Sequence, residues 1–407
     1  MKGMPSFPLQ RRRFLATTLA VPFLGDWALA KEERKDIRIT RVTHCRIPTR
    51  RSKVAGKNSR KDVHGDSSGD VLLRLFTNSG HEGFGHGRMQ RKQAEEVLGK
   101  NPFGFLDEET HRVSGPFGVG TMPVWDLAGK ILGKSTHAML GGKGPTQVPV
   151  YDGSIYFADL LPQYAAKWKD RFRKEIDMGL EAGHKAFKVK IGRGAKWMER
   201  KTGDRRDIEV LKTIRAHGGK DLIIGIDANN GYDLAGAKRL LGEIGDLDIA
   251  FAEEMFPETV EHCLDFKAFL SKMKLQTLVA DGESHKEPST FKPFIEEKAI
   301  EVYQGDMKRF GFEGILQEAA WAAQKDLLVA PHNWGSLVGY YMQLQVGRAI
   351  PNFYRAENDP LSTPILVDEG YSRKDGLATI PDTPGCGLTI NEKAFTNEAK
   401  VFYDLKN

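Results

Sequence analysis

From about Val148 onward, short apolar runs alternate with segments whose apolar residues recur at helical spacing. The runs close near Tyr151, Lys190, Asp227, Glu253, Glu283, Asp306, His332 and Glu357, and stretches such as Asp207 to Ala216 and Ala235 to Ile244 fall between them. A period of two that gives way to a period of 3.6 and then returns predicts strands and helices in alternation. Strands joined through helices run parallel, and eight of them predict a closed barrel.

The stretch from about Asp36 to Gly142 lacks that rhythm. Ile37 to Ile47 and Val71 to Thr77 alternate like strands, and Asn78-Ser79-Gly80 reads as the turn before Gly83-Phe84-Gly85, so a hairpin or meander followed by helices is expected. No helical pattern opens after Gly83, Gly85 and Gly87, so these predict a tight turn with close backbone packing and not a phosphate loop. Between the two strands, Arg50 to Gly69 carries Arg50, Arg51, Lys53, Lys57, Arg60 and Lys61. It reads as a solvated loop, with a flexible lid over an anionic substrate as the sharper alternative.

The polar residues that end the barrel runs carry the chemistry. Strand ends of a parallel barrel gather on one face, so Lys190, Asp227, Glu253, Glu283, Asp306, His332 and Glu357 are expected to meet there although they are remote in sequence. Three carboxylates, a lysine and an Asp/His pair at such a mouth make a metal site with a general base on either side. Lys188 and Lys190 stand two apart on one strand and point the same way. Two cations that close depress each other's pKa, which would leave a lysine neutral enough to act as a base. Hard carboxylate oxygens select Mg2+, with Mn2+ as a substitute, over zinc. Glu254 is expected to point to the opposite face from Glu253, and Asn229, two beyond Asp227, to line the site.

Composition narrows the class. At 407 residues and 40% hydrophobic content, the chain can bury at least one large core. The net charge of +6 is a mild basic balance that gives no reason to expect a nucleic-acid partner. Cys45, Cys263 and Cys386 are far apart, so neither a disulfide framework nor a zinc site is expected. Near the N-terminus, Arg11-Arg12-Arg13-Phe14-Leu15 precedes an apolar stretch from Ala16 to Leu24 and the small residues Ala28-Leu29-Ala30. This looks like a twin-arginine export signal and predicts a periplasmic or extracytoplasmic protein, with a disordered basic arm on a cytoplasmic protein as the alternative. The apolar run is too short to span a bilayer, so no stable membrane insertion is expected.

The segments Phe187-Lys188-Val189-Lys190, Ile226-Asp227-Ala228-Asn229, Ala252-Glu253-Glu254, Asp281-Gly282-Glu283, Gly305-Asp306-Met307-Lys308-Arg309-Phe310-Gly311 and Pro331-His332-Asn333 resemble, in order and spacing, the mandelate racemase branch of the enolase superfamily. Trp125-Asp126-Leu127-Ala128-Gly129-Lys130, followed by Leu140-Gly141-Gly142, is similar to the junction between that family's two domains. The resemblance implies an α/β fold in which an N-terminal α+β capping domain covers a modified (β/α)7β TIM-type barrel. The expected division is a signal peptide at 1–30, the capping domain at 31–145, the barrel at 146–375 and a segment at 376–407 returning to the capping domain.

The resemblance also implies roles. Asp227, Glu253 and Glu283 would bind the metal, Lys190 would be one base, and Lys188 would lie near the substrate carboxylate. His332 paired with Asp306 would be the second acid/base, and Glu357 would hydrogen-bond toward the developing enolate. Aspartate at position 306 separates this chain from the muconate-lactonizing branch, which has lysine there. The expected substrate is a small carboxylate. The activity that follows is abstraction of the proton next to that carboxylate, foremost in dehydration of a sugar acid to a 2-keto-3-deoxy acid. Racemisation or epimerisation of a 2-hydroxy acid and cycloisomerisation of a sugar-acid lactone share the same first step. An inert sugar-acid-binding protein is a minor alternative, disfavoured because both Lys190 and His332 are present. Relatives imply a symmetric homo-oligomer.

Overall fold

Strand β1 (Ile39–Ala55) is longer than its apolar pattern foretells, because alternation continues after the apolar residues end. Cys45, Ile47, Thr49, Arg51 and Lys53 are buried, while Arg46, Pro48, Arg50 and Ser52 between them are exposed. The stretch read as a solvated loop is thus mostly hairpin, since β2 (Gly65–Thr77) pairs antiparallel with β1 to Arg50↔Ser67 and, after a shift of register, again at Ala55↔Gly65. Arg51 and Lys53 are buried because each meets a carboxylate, Asp359 at 2.6 Å and Glu175 at 2.9 Å. The computed structural model describes residues 34–107 and 109–407, and the expected export signal lies outside them.

Strand β3 (Glu82–His86) completes the meander, and helix α1 (Met122–Leu132) packs directly on it. A Cβ at Gly83 would lie 2.3 Å from Leu127 Cβ, and one at Gly85 would lie 2.3 Å from Met122 Cγ. Close packing is therefore the reason for these glycines, but they sit in a strand and not in a turn.

Eight parallel strands then follow: β4 (Gln147–Ile155), β5 (Ala186–Lys190), β6 (Ile223–Asp227), β7 (Ile249–Glu253), β8 (Leu278–Asp281), β9 (Val302–Tyr303), β10 (Leu328–Val329) and β11 (Ala356–Asn358). Each of the first seven leads into a helix: α2 (Trp168–Glu181), α3 (Arg200–Gly218), α4 (Leu234–Ile244), α5 (Val260–Lys272), α6 (Lys292–Glu296), α7 (Met307–Ala323) and α8 (Leu337–Ala349). Neighbours pair in chain order from β4 to β10, and β11 pairs with β4. The ring closes where Val329 N donates to Asn352 O at 2.9 Å and Tyr354 N donates to Val329 O at 2.7 Å. This is the (β/α)7β barrel. Tyr151, Ala186, Phe251, Ala280, Val302 and Ala330 form a separate buried cluster drawn from its strands, so the barrel has a packed interior. Gly225 makes room for Phe251, whose Cζ would lie 2.1 Å from an added Cβ.

The tail serves both sheets. Strand β12 (Leu361–Ser362) pairs with β1, β13 (Leu377–Thr379) pairs antiparallel with barrel strand β4, and β14 (Lys400–Lys406) returns to β1. Ile37–Asn407 forms one unit, and among the described residues no helix is long and apolar enough to cross a membrane. Cys45, Cys263 and Cys386 are buried and free.

Candidate active site

Lys190, Asp227 and Glu253 are the last residues of β5, β6 and β7, and they are Cα partners in one row across the sheet. Residues in register share a face, so the three side chains meet in the barrel mouth. Lys190 Nζ donates to Asp227 Oδ2 and, at 3.0 Å, to Asn229 Oδ1. Lys188, two residues earlier on the same face, is fully buried, and its Nζ lies 2.7 Å from Glu253 Oε1, 2.8 Å from Glu357 Oε1 and 3.2 Å from Asp227 Oδ2.

Glu283 joins from beyond the end of β8, and Asp227, Glu253 and Glu283 each offer an oxygen within 4.8 Å of the others. Three hard oxygen donors at that separation fit a divalent cation such as Mg2+ or Mn2+. Glu253 is further held by Gln304, whose Nε2 donates to its Oε2 at 2.6 Å.

The electrostatics decide the state of Lys188. Burial disfavours the charge on Lys188, but Glu253, Glu357 and Asp227 outweigh it and hold the ammonium protonated, with its pKa well above the usual value. The Asp227 carboxylate, paired with both Lys188 and Lys190, stands between the two ammonium groups. Burial likewise opposes charge on Asp227, yet Lys190 and Lys188 hold its pKa well below normal. Glu253 is driven the other way, first by burial and then by Asp227, as expected when two carboxylates share one site.

On the far side of the mouth, His332 Nδ1 is 2.7 Å from Asp306 Oδ2. Asp306 caps α7, its Oδ1 accepting the amides of Lys308 at 3.0 Å and Arg309 at 2.9 Å. Burial opposes its charge, but His332, Lys308 and those amides keep it ionised. The other ring nitrogen, His332 Nε2, is 3.0 Å from Glu283 Oε2 and 4.0 Å from Glu357 Oε2. The pKa of His332 is raised: burial works against the cation, and Glu283, Asp306 and Glu357 overcome it. Glu357, on β11, accepts Asn333 N at 2.8 Å and is held ionised against burial chiefly by Lys188 and His332.

All eight residues singled out in the sequence gather at this mouth, although Glu283, Asp306 and His332 lie in the loops just past their strands and do not close them. Glu254 departs from expectation. Its backbone turns left-handed at φ 41°, which ends the strand alternation and brings the carboxylate back toward the site. There it accepts Asn229 Nδ2 at 3.0 Å and the Ser284 hydroxyl, and burial, with Glu283 and Asp227, pushes its pKa up to about 7.

The polar hairpin is no free lid. Ser59 Oγ donates to Ala228 O at 2.6 Å, Trp197 Nε1 to Asn58 O at 2.6 Å, and Phe157 N to Lys57 O at 2.9 Å, so its tip is tied to the loops after β4, β5 and β6. Arg51 lies over the Trp334 ring at 4.5 Å, Trp334 stacks on Tyr156 at 4.5 Å, and Lys190 Nζ is 5.3 Å from the Tyr156 centroid. Gln304 and Tyr156 escaped the sequence reading, although Gln304 stands one residue before the Asp306 motif's Gly305. In the sequence Arg51 reads only as one of the basic residues of the polar stretch, and Trp334 directly follows the His332 motif.

The model of the family described as enolase C-terminal domain-like matches residues 171–394. The chain is 28% identical over 288 residues to an arabinonate dehydratase of Saccharolobus solfataricus, covering 70% of this chain and 71% of that protein. It is 28% identical over 289 residues to a D-galactarolactone cycloisomerase of Agrobacterium fabrum, covering 67% of this chain and 71% of that one. A mandelate racemase/muconate lactonizing protein from Geobacillus sp., solved with magnesium and tartrate, superposes with a TM-score of 0.81 at 28% identity, over 89% of this chain and 95% of its own.

Proposed function

The chain belongs to the enolase superfamily, in its mandelate racemase branch, and from that premise we propose that it is a Mg2+-dependent sugar-acid dehydratase. Such a hydro-lyase takes the proton from the carbon next to a carboxylate and expels the hydroxyl one carbon further on. The products are water and a 2-keto-3-deoxy acid. The observation that carries the reading is the grouping, at one barrel mouth, of Asp227, Glu253 and Glu283 with Lys190 on one side and the Asp306–His332 pair on the other.

Asp227, Glu253 and Glu283 would hold Mg2+, with Mn2+ as a substitute, and the bound cation would supply Lewis-acid stabilisation of the charge on the substrate carboxylate. The buried ammonium of Lys188 adds a fixed positive charge beside it. Lys190 Nζ, held by Asp227 and Asn229, takes the proton from the carbon next to the carboxylate. His332, fixed through Nδ1 by Asp306, gives a proton from Nε2 to the departing hydroxyl. Glu357 spans Lys188 and Asn333 N and so holds the floor of the site.

Incubation with a library of aldonic, aldaric and uronic acids and Mg2+, followed for keto-acid formation, tests the reading. At least one acid should react, and none should react with Lys190→Ala. Failure of every acid would count against it. Lactone cycloisomerisation is the second reading, favoured by the match to the galactarolactone enzyme. It requires that lactones and not free acids be consumed.

Two further parts of the proposal concern the setting. The Arg11-Arg12-Arg13 segment supports export by a twin-arginine route, and the family resemblance supports a homo-oligomer.

A further inference from the structure

Strand β1, helix α8 and the tail border a cleft of about 480 Å³, and none of the eight residues of the barrel mouth lines it. Its lining includes Arg50 from β1, Tyr340 and Tyr341 from α8, Asn358 from β11, and Tyr371 and Arg373 from the tail. Glu357 faces the mouth, so Asn358, the next residue of the same strand, faces away from it. The cleft therefore lies outside the barrel wall.

Its charge is unbalanced. Within the basic stretch of the hairpin, Arg51, Lys53 and Lys57 are paired with Asp359, Glu175 and Asp62. Arg50 is exposed and its guanidinium has no carboxylate partner among the described residues. Arg373 is held in place, with Nε donating to Ala182 O at 2.7 Å and Nη1 to Asn358 Oδ1 at 3.1 Å. Its Nη2 group is left without an acceptor among the described residues. The Tyr340 hydroxyl lies 3.5 Å from Arg373 Nη1 on its acceptor side, and its own proton has no acceptor among the described residues either. Asp368, the acidic side chain of the lining, already accepts the Tyr341 hydroxyl at 2.5 Å.

The walls beside these donors are fixed aromatic rings. Tyr340 and Tyr341 lie 5.7 Å apart between centroids, Tyr341 and Tyr371 meet edge to face at 4.9 Å, and the Tyr371 hydroxyl donates to Cys386 O at 2.5 Å. Three uncommitted donors, two of them cationic, next to apolar ring surface suit an anion with a short carbon body. A cation would meet two guanidinium groups, and a neutral ligand would leave both charges unanswered. We propose that this cleft binds a small organic oxyanion, a carboxylate or a phosphate monoester, through Arg50, Arg373 and Tyr340. The inference stands apart from the dehydratase reading, since no residue of the mouth takes part.

Isothermal titration calorimetry of the full chain with Mg2+ tests it, using glutarate as the carboxylate, glycerol 3-phosphate as the phosphate monoester and glycerol as the neutral control. At least one anion should bind with a Kd of about 1 mM or tighter, and the tighter of the two identifies the source. Arg50→Gln and Arg373→Gln should each weaken that binding at least about 10-fold, the cost of losing a hydrogen bond from a charged group. Arg50 is exposed and its side chain makes no hydrogen bond among the described residues, so Arg50→Gln keeps the fold and decides the matter alone if Arg373→Gln does not fold. Failure of both anions to bind the wild type, or equal binding of glycerol, would overturn the proposal. So would undiminished binding in Arg50→Gln, which would place the anion elsewhere, the barrel mouth included. The dehydratase reading would stand in each of these cases.

Discussion

Asp306 Oδ2 and His332 Nδ1 lie 2.7 Å apart, and a backbone bridge joins the same two residues across adjacent loops. The carboxylate cannot swing away, because its other oxygen accepts two amides from the first turn of α7. Within α7, Gly311 breaks the regular helical geometry at φ 65°, and a Cβ there would meet Val119 O at 2.4 Å. The pair therefore fixes both the tautomer and the aim of the imidazole.

Asp306→Asn should keep the shape of this pair but lose its charge. We expect turnover to fall by about 10- to 100-fold, the usual cost of removing such an orienting partner, with little change in substrate KM. Steady-state kinetics on a purified, folded variant checks this, and unchanged kcat would mean that Asp306 does not orient the acid.

Removing the metal should cost both activity and stability. Asp227, Glu253 and Glu283 converge within 4.8 Å, and without a divalent cation their repulsion is left to Lys188, Lys190 and His332 to offset. Exhaustive chelation should abolish turnover and lower Tm, and Mg2+ should restore both. Full activity in verified metal-free protein would rule out these ligands.

The Arg51–Asp359 ion pair is buried on both sides, with side-chain exposures of 2% and 0%. Arg51→Ala leaves a buried carboxylate without its partner and should destabilise the fold by about 3–5 kcal/mol. The double variant Arg51→Met with Asp359→Leu should lose less than Arg51→Ala alone, since no charge remains stranded. Denaturant unfolding of the variants measures the difference.

Glu318 makes stability depend on pH away from the site. Burial pushes its pKa from 4.5 up to about 8, partly offset by the Tyr303 hydroxyl that donates to it at 2.5 Å. Below about pH 4.5 both the folded and unfolded forms are protonated, so the group costs nothing. Between 4.5 and about 8 the unfolded chain ionises first, and stability falls as pH rises. Glu318→Gln should remove this fall, which is at most about 5 kcal/mol across the window. Equal slopes in wild type and variant would show that the carboxyl is ionised throughout.

The barrel and most of its mouth were legible because strand ends announce themselves. Lys190, Asp227 and Glu253 end clean alternations, and the register then aligns them. Alternation failed as a guide at Glu254, where the left-handed backbone breaks the period on which the expectation relied. It also failed along β1, because the residues at the buried positions there are Arg51 and Lys53, whose partners Asp359 and Glu175 are far off in sequence. Gln304 stood beside the Asp306 motif but carried no signal of its own. Its importance lies in one hydrogen bond to Glu253, and a contact of that kind exists only once the chain has closed.

Solvent deuterium exchange at the carbon next to the substrate carboxylate tests the two-sided mouth most directly, run on the wild type, Lys190→Ala and His332→Asn with an acid that the wild type dehydrates. If Lys190 abstracts the proton and His332 expels the hydroxyl, His332→Asn should still exchange that proton while forming keto acid at least about 10²-fold more slowly, and Lys190→Ala should do neither. Exchange that vanishes in His332→Asn and survives in Lys190→Ala, or full turnover in both variants, would contradict the assignment.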